Sequence, residues 1–118
     1  MSESNFIFGV VGVCGSGKSE LVRRLMERGY QARHIAQEHS FVPDMWRRLS
    51  NPDVLIFLEV SYSLTMERKS FQWSEKEYEI EIDRLKHAKQ HADLMINTDM
   101  LTPEEVFKQV LIFIDAID

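Results

Sequence analysis

Apolar residues along the 118-residue chain gather into three dense runs, and the stretches between them carry apolar residues at helical spacing. Phe6-Ile7-Phe8-Gly9-Val10-Val11 is β-branched and aromatic apart from one glycine, which predicts a parallel strand buried on both faces. Val54-Leu55-Ile56-Phe57-Leu58-Glu59-Val60 predicts a second such strand, and Asp93-Leu94-Met95-Ile96-Asn97 a shorter third. Tyr30 to Ala36 alternates only in part and predicts a weaker strand. Between the first two strands, Leu21, Val22, Leu25 and Met26 share one helical face, and Gly29 stands where a helix stops. Pro43 opens a turn or two of helix within Phe41 to Leu49, and Ser50-Asn51-Pro52-Asp53 is a turn. Ser61 to Phe71 reads as a helix. Ser74-Glu75-Lys76-Glu77 is a capping box whose helix runs to about His91 and packs through Tyr78, Ile82, Leu85 and Ala88, with its charges on a solvated face. Thr102-Pro103-Glu104-Glu105 opens the last helix with an N-cap, a proline at its first position and a second capping box. That helix presents Val106, Phe107, Val110, Leu111, Phe113, Ile114 and Ile117. Strands alternating with helices predict one α/β domain over 1–118, a three-layer sandwich around a parallel sheet of about four strands. The strands at Phe6–Val11 and Val54–Val60 are expected side by side at its centre.

Chemistry enters between the first strand and the first helix. Gly12-Val13-Cys14-Gly15-Ser16-Gly17-Lys18-Ser19 fits the phosphate-loop pattern G-x-x-x-x-G-K-[ST] at every fixed position, in its required strand–loop–helix setting. Gly12, Gly15 and Gly17 allow a curl that points backbone N–H groups at an anion, and the following helix adds its positive end. Lys18 is suited to the β- and γ-phosphates and the Ser19 hydroxyl to Mg²⁺. On this reading Lys18→Ala abolishes Mg-ATP binding with the fold intact.

Composition narrows the remaining classes. A net charge of −5 argues against a nucleic-acid surface, and the run from Phe6 to Cys14 is too short to span a bilayer. Ser2-Glu3-Ser4-Asn5 is acidic and polar, so no signal peptide is expected. The one cysteine, Cys14, excludes an intramolecular disulfide and fits a reducing cytosol. Inside the loop it is either a redox-sensitive thiol or, more plainly, a small filler.

Beyond the loop, two stretches resemble the small P-loop kinases, the nucleoside monophosphate kinases and their shikimate- and gluconate-kinase relatives. Pro52 to Val60 followed by Met66-Glu67-Arg68 resembles their fourth strand and the helix leading to the lid. Ala92 to Asp99 followed by Leu101 to Val106 resembles their last strand and C-terminal helix. The resemblance covers about two thirds of the chain. It implies a P-loop NTPase sandwich that binds ATP with Mg²⁺, an Arg68 lying against the adenine, and a Thr98-Asp99-Met100-Leu101 wall to the base pocket. The plainer alternatives are an Arg68 paired with Glu67 or Glu75 and a simple strand-to-helix turn.

Three departures qualify it. The second lid arginine of the family is replaced by Gln72, its acceptor-binding insertion is missing, and no clear carboxylate stands as the metal's second anchor. Glu38 ends the strand expected to flank the loop and Glu59 the most apolar run, and either could hold water on the metal. The resemblance matches Glu59 to a mainly structural residue of the kinases and so implies Glu38, with Ser19, at the metal. Arg47, Arg48 and Arg84 are the arginines available in place of Gln72. His39, at the carboxyl edge, is a candidate acid–base or acceptor-orienting group. His87 and His91 are four apart on a helix but lack a third ligand. Phe71 and Trp73 read as a hydrophobic staple and Trp46 as core.

The expectation is therefore a minimal kinase passing a phosphoryl group from ATP to a small-molecule acceptor. Lys18, Glu38, His39 and Arg68 would carry the chemistry, and Gln37, Glu38, His39, Arg47 and Arg48 would face the acceptor. The alternatives are a nucleotide-binding switch with little transfer activity and an NTPase completed by a partner's arginine. The sequence leaves monomer and homo-oligomer equally open.

Overall fold

The computed structural model describes residues 6–68 and 72–117. Ser2–Asn5 and Phe71, with the signal-peptide reading and Phe71's share of the staple reading, lie outside these residues.

The two most apolar runs become the central strands because only the middle of a sheet hides both faces of a strand. β1 (Ile7–Gly12) and β3 (Val54–Glu59) are neighbours, flanked by β2 (Gln31–His34) and β4 (Leu94–Asn97) in the order β2-β1-β3-β4. All three pairings are parallel, with Val10 opposite Ile56 and His34, and Leu58 opposite Ile96. Six α-helices occur among the described residues: α1 (Lys18–Glu27), α2 (Met45–Leu49), α3 (Tyr62–Arg68), α4 (Glu75–Arg84), α5 (Lys86–His91) and α6 (Pro103–Ile117). The chain is thus an α/β protein with a four-stranded, all-parallel sheet.

The alternation of side chains along β1 and β3 divides the core in two. Phe8, Val10, Val54, Ile56 and Leu58 pack with Leu21 and Leu25 of α1 and with Val106, Val110 and Ile114 of α6. Val11, Leu55 and Phe57 pack instead with Trp46 of α2, Trp73, Leu85 and Ala88. Apolar helix and loop residues thus cover both faces of the sheet.

Local chemistry fixes the element ends. α1 stops in a Schellman arrangement, with Gly29 left-handed (φ 91°), Tyr30 N–H on the Leu25 carbonyl and Gly29 N–H on that of Met26. Both capping boxes form: Ser74 with Glu77, and Thr102 with Glu105. Trp73, just before the first box, packs edge-on against Tyr78, completing a staple, and its indole N–H donates to Thr65 Oγ1 at 2.8 Å. At the opposite end of the sheet from the strand tips, two aspartates repeat one device. Ile7 N–H donates to Asp53 Oδ2 and Asp53 N–H returns to the Ile7 carbonyl, both at 2.8 Å; Leu55 and Asp93 do the same at 2.8 Å.

Three expectations need correction. Met26 is 59% exposed, because the α1 stripe that meets the sheet is filled by Leu21, Val22 and Leu25 alone. Ile82 is 42% exposed while its neighbour Glu81 is buried, since the stripe runs Tyr78, Glu81, Leu85, Ala88; the predicted helix also breaks at Leu85, dividing α4 from α5. Ile117 lies partly exposed at the end of α6.

Gly9, at the middle of β1, is required for packing. A Cβ there would fall 2.6 Å from Ile35 Cδ1 and 2.9 Å from two Pro52 carbons. Gly9→Ala is expected to destabilise the fold by about 1–3 kcal/mol, the usual result of overpacking. Urea denaturation checks this; an unchanged midpoint would mean that Ile35 and Pro52 yield freely.

Candidate functional site

The glycine loop joins the carboxyl end of β1 to α1, at the edge of a parallel sheet where crevices form. Gly15 (φ 85°) and Gly17 (φ 100°) both adopt the left-handed region, and Ser16 N–H donates to the Val13 carbonyl at 3.1 Å, closing the curl. At Gly12 the neighbouring strand sets the limit: a Cβ would stand 2.7 Å from the Leu58 carbonyl oxygen. Gly17 caps α1 without any side-chain hydrogen bond, so the N-terminal N–H groups of this ten-residue helix have no capping side chain.

Lys18 turns back under the loop and is buried. Its Nζ donates to the carbonyls of Gly12 at 2.7 Å and Val13 at 3.2 Å, and pairs with Glu38 Oε2 at 2.9 Å. Glu38 arrives from a 3₁₀ turn (Gln37–His39) that follows β2, the strand beside β1. Glu38 does not itself end the strand, since β2 stops at His34, but the turn that follows carries it to the loop from the flanking strand's side. Its second oxygen, Oε1, and Ser16 Oγ are buried with no hydrogen-bond partner among the described residues. Ser19 is exposed on the first turn of α1. Glu59, the other carboxylate considered, pairs with Lys89 at 2.8 Å.

No protein-family model matches this chain, and a search of curated proteins found no match.

On the other flank of the loop lies a cavity of about 330 Å³ lined by Ser16, Gly17, Glu20, Leu21, Arg68, Thr98, Leu101, Pro103 and Val106. Arg68 ties its two walls together. One guanidinium nitrogen donates to the Gly15 carbonyl at 3.1 Å and Thr98 Oγ1 at 3.0 Å, the other to the Thr98 carbonyl at 2.8 Å. Among the described residues Arg68 forms no ion pair with Glu67 or Glu75, so the plainer sequence alternative is not realised. Thr98 is buried, its N–H and hydroxyl both donating to the Glu59 carbonyl. Asp99 departs from expectation: it does not line the cavity, and its Oδ1 accepts the Ser61 N–H at 2.8 Å, which fixes the start of α3.

A third group meets the outer side of the loop. Cys14 Sγ lies 3.7 Å from His39 Nε2 and 3.5 Å from Glu81 Oε2, while Glu81 Oε1 accepts the Cys14 N–H at 3.0 Å. His39 Nε2 is also 3.6 Å from Glu38 Oε2. Glu81 is the residue that sequence reading missed. The signal was present in its phase: with Ser74 as N-cap, Glu81 falls between Tyr78 and Leu85 on the buried stripe, where a carboxylate needs a reason to be. His34, on β2, has its pKa lowered from the ordinary imidazole value by partial burial and then by the Lys18 charge.

The remaining sequence candidates divide clearly. Gln37 is 1% exposed and structural rather than acceptor-facing: its amide bonds the Val42 and Arg84 carbonyls and accepts the Trp46 N–H. Arg48 pairs with Asp44 at 2.9 Å and Arg47 lies over the Trp46 ring. Arg84 does reach the site's edge, donating to the Glu38 carbonyl at 3.3 Å and stacking over Phe41. His87 and His91 stack on each other, and His87 Nδ1 accepts the Trp46 indole N–H at 3.1 Å. Trp46 is core, as expected.

Proposed function

We propose that this chain is a Mg-ATP-binding P-loop protein and a minimal small-molecule kinase, passing the terminal phosphoryl group of ATP to a small hydroxyl-bearing acceptor. One observation carries the reading: an uncapped glycine loop with a buried lysine beneath it opens directly onto a cavity floored by Thr98 and Arg68. The loop N–H groups and the α1 terminus bind the phosphates. The neighbouring cavity, whose walls include Leu21, Leu101, Pro103 and Val106, receives the base, with Arg68 against its face.

Mg²⁺ suits the same residues. Ser19 offers an exposed hydroxyl and Glu38 a buried carboxylate oxygen that nothing else among the described residues satisfies. When bound, the ion supplies neutralisation of phosphate charge. Lys18 must leave Glu38 to meet the β- and γ-phosphates, so nucleotide binding exchanges one buried ion pair for another. On the acceptor side His39, 58% exposed, takes the proton of the acceptor hydroxyl as its oxygen bonds to the γ-phosphorus and the bond to the departing ADP oxygen breaks. Arg84 is the arginine at this edge and stands in for the guanidinium missing at Gln72.

A nucleotide-binding switch, or an NTPase completed by a partner's arginine, is the second reading, favoured by Gln72 and by a Lys18 fully engaged at rest. We infer a reducing, cytosolic setting from the single cysteine. No helix among the described residues is long and apolar enough to cross a membrane.

The test is ADP formation by the purified chain from Mg-ATP, with and without a panel of small hydroxyl and nucleotide acceptors. ADP that appears with one acceptor class makes this a kinase. ATP turnover that needs no acceptor and rises more steeply than protein concentration supports the trans-arginine reading. A chain that binds neither ATP nor GTP overturns all three.

A further inference from the structure

The geometry points to a binding site for a thiophilic divalent cation of the zinc class, formed by Cys14, His39 and Glu81 on the outer side of the glycine loop. The three side chains come from three separate elements, the loop, the 3₁₀ turn and α4. Their ligand atoms all lie within 4.8 Å of one another. The individual separations are sharper than that bound. Zinc in a tetrahedron, with bonds of about 2.3 Å to sulfur and about 2.0–2.2 Å to nitrogen and oxygen, holds its ligand atoms roughly 3.4–3.6 Å apart. Cys14 Sγ stands 3.7 Å from His39 Nε2 and 3.5 Å from Glu81 Oε2. The third pair is looser: His39 Nδ1 lies 4.0 Å from Glu81 Oε2, so the exposed imidazole must turn to bring one nitrogen to both partners.

A second, independent observation concerns charge. Glu81 is 7% exposed, and among the described residues no lysine or arginine pairs with it; His39 is its only basic neighbour. Its Oε1 is used by the Cys14 N–H, which leaves Oε2 aimed at the thiol and the imidazole. A carboxylate buried beside a thiol is costly unless a cation balances it. A divalent ion does so, and fixes Cys14 as the thiolate, with the thiol proton released to solvent. His39 is open on its outer side, which gives the ion a way in. Three protein ligands leave a fourth position for water or an anion, the pattern of an open rather than a purely structural zinc site. The site needs neither Lys18 nor the base cavity, but it shares His39 and the loop residue Cys14 with the nucleotide reading, and an ion held by His39 would take that imidazole from its acid–base role.

The probe is Co²⁺, followed by the thiolate-to-cobalt charge-transfer absorption of the full chain, then displaced by Zn²⁺ in competition with a chelator. One equivalent of Co²⁺ with that absorption, displaced by Zn²⁺, is the expected result. Cys14→Ser should remove the charge-transfer band. His39→Ala and Glu81→Gln should weaken Zn²⁺ by more than the roughly 10–100-fold that loss of an outer-shell partner brings. Glu81→Gln retains an oxygen for the Cys14 N–H, and circular dichroism reports whether each variant is folded. His91→Ala should change nothing. No charge-transfer band, or binding that survives Cys14→Ser unchanged, overturns the site; loss in His91→Ala alone would assign the metal to the His87–His91 pair.

Discussion

Lys18→Met is expected to abolish nucleotide binding and to lower the melting temperature by about 10 °C or more. The two effects have different origins. The first follows from removal of the cation proposed to meet the phosphates. The second follows from burial: Lys18 and Glu38 are both nearly inaccessible and pair at 2.9 Å, so deleting the lysine strands a carboxylate in the interior. Breaking a buried pair from one side costs about 3–5 kcal/mol, and in a domain of this size each kcal/mol moves the midpoint by roughly 3–6 °C. The sequence alone predicts loss of binding with an intact fold; the buried pair makes that expectation too simple. Pairing Lys18→Met with Glu38→Gln removes the stranded charge, and this double variant should recover most of the stability without recovering ATP binding. Thermal denaturation and equilibrium nucleotide binding on the three proteins decide the matter. A single variant as stable as the parent would mean that Glu38 finds solvent. ATP affinity undiminished in the double variant would remove the loop from the nucleotide site.

Arg68→Ala should weaken ATP more than inorganic triphosphate. Guanidinium stacking on a base contributes about 0.5–2 kcal/mol, a roughly 2–30-fold loss that triphosphate cannot suffer. The structure adds a smaller loss common to both ligands, because Arg68 also bonds the Gly15 carbonyl and so braces the loop. Arg68→Lys keeps the charge but not the planar fork, and should resemble alanine for ATP. Equal losses for the two ligands would leave Arg68 as a brace alone.

The parts of the fold that were legible in the sequence are those dictated by local chemistry. Two apolar runs had to be central strands, and the boxes at Ser74 and Thr102 mark helix starts wherever the chain goes. Glycines at 12, 15 and 17 announce a curled loop for the same reason. What stayed hidden depends on residues far apart in sequence. Glu81 meets Cys14 across 67 positions, and although its phase turns it inward, nothing local names the partner it turns toward. Asp99 sits within a turn that the kinase resemblance assigns to a pocket wall, yet its side chain serves Ser61, 38 positions earlier. Gln37 was misread for a related reason: polar residues after a strand suggest a ligand, whereas its amide closes the backbone of the segment that folds over it. Glu38 was legible only in part: its place after the strand beside the loop made it a candidate together with Glu59, and the resemblance, not position, separated the two.

The two aspartate clips give the sheet a direction of stiffness. Asp53 and Asp93 each lock both backbone groups of a residue on the neighbouring strand, at the amino-terminal margin where strands ordinarily fray. Sealed there, β1 and β3 have their freedom for small local openings at the other margin, where the glycine loop begins. The sheet thus acts as a board clamped along one side, and the amides of Ile7 and Leu55 should keep their protons through fluctuations that already expose those of the loop.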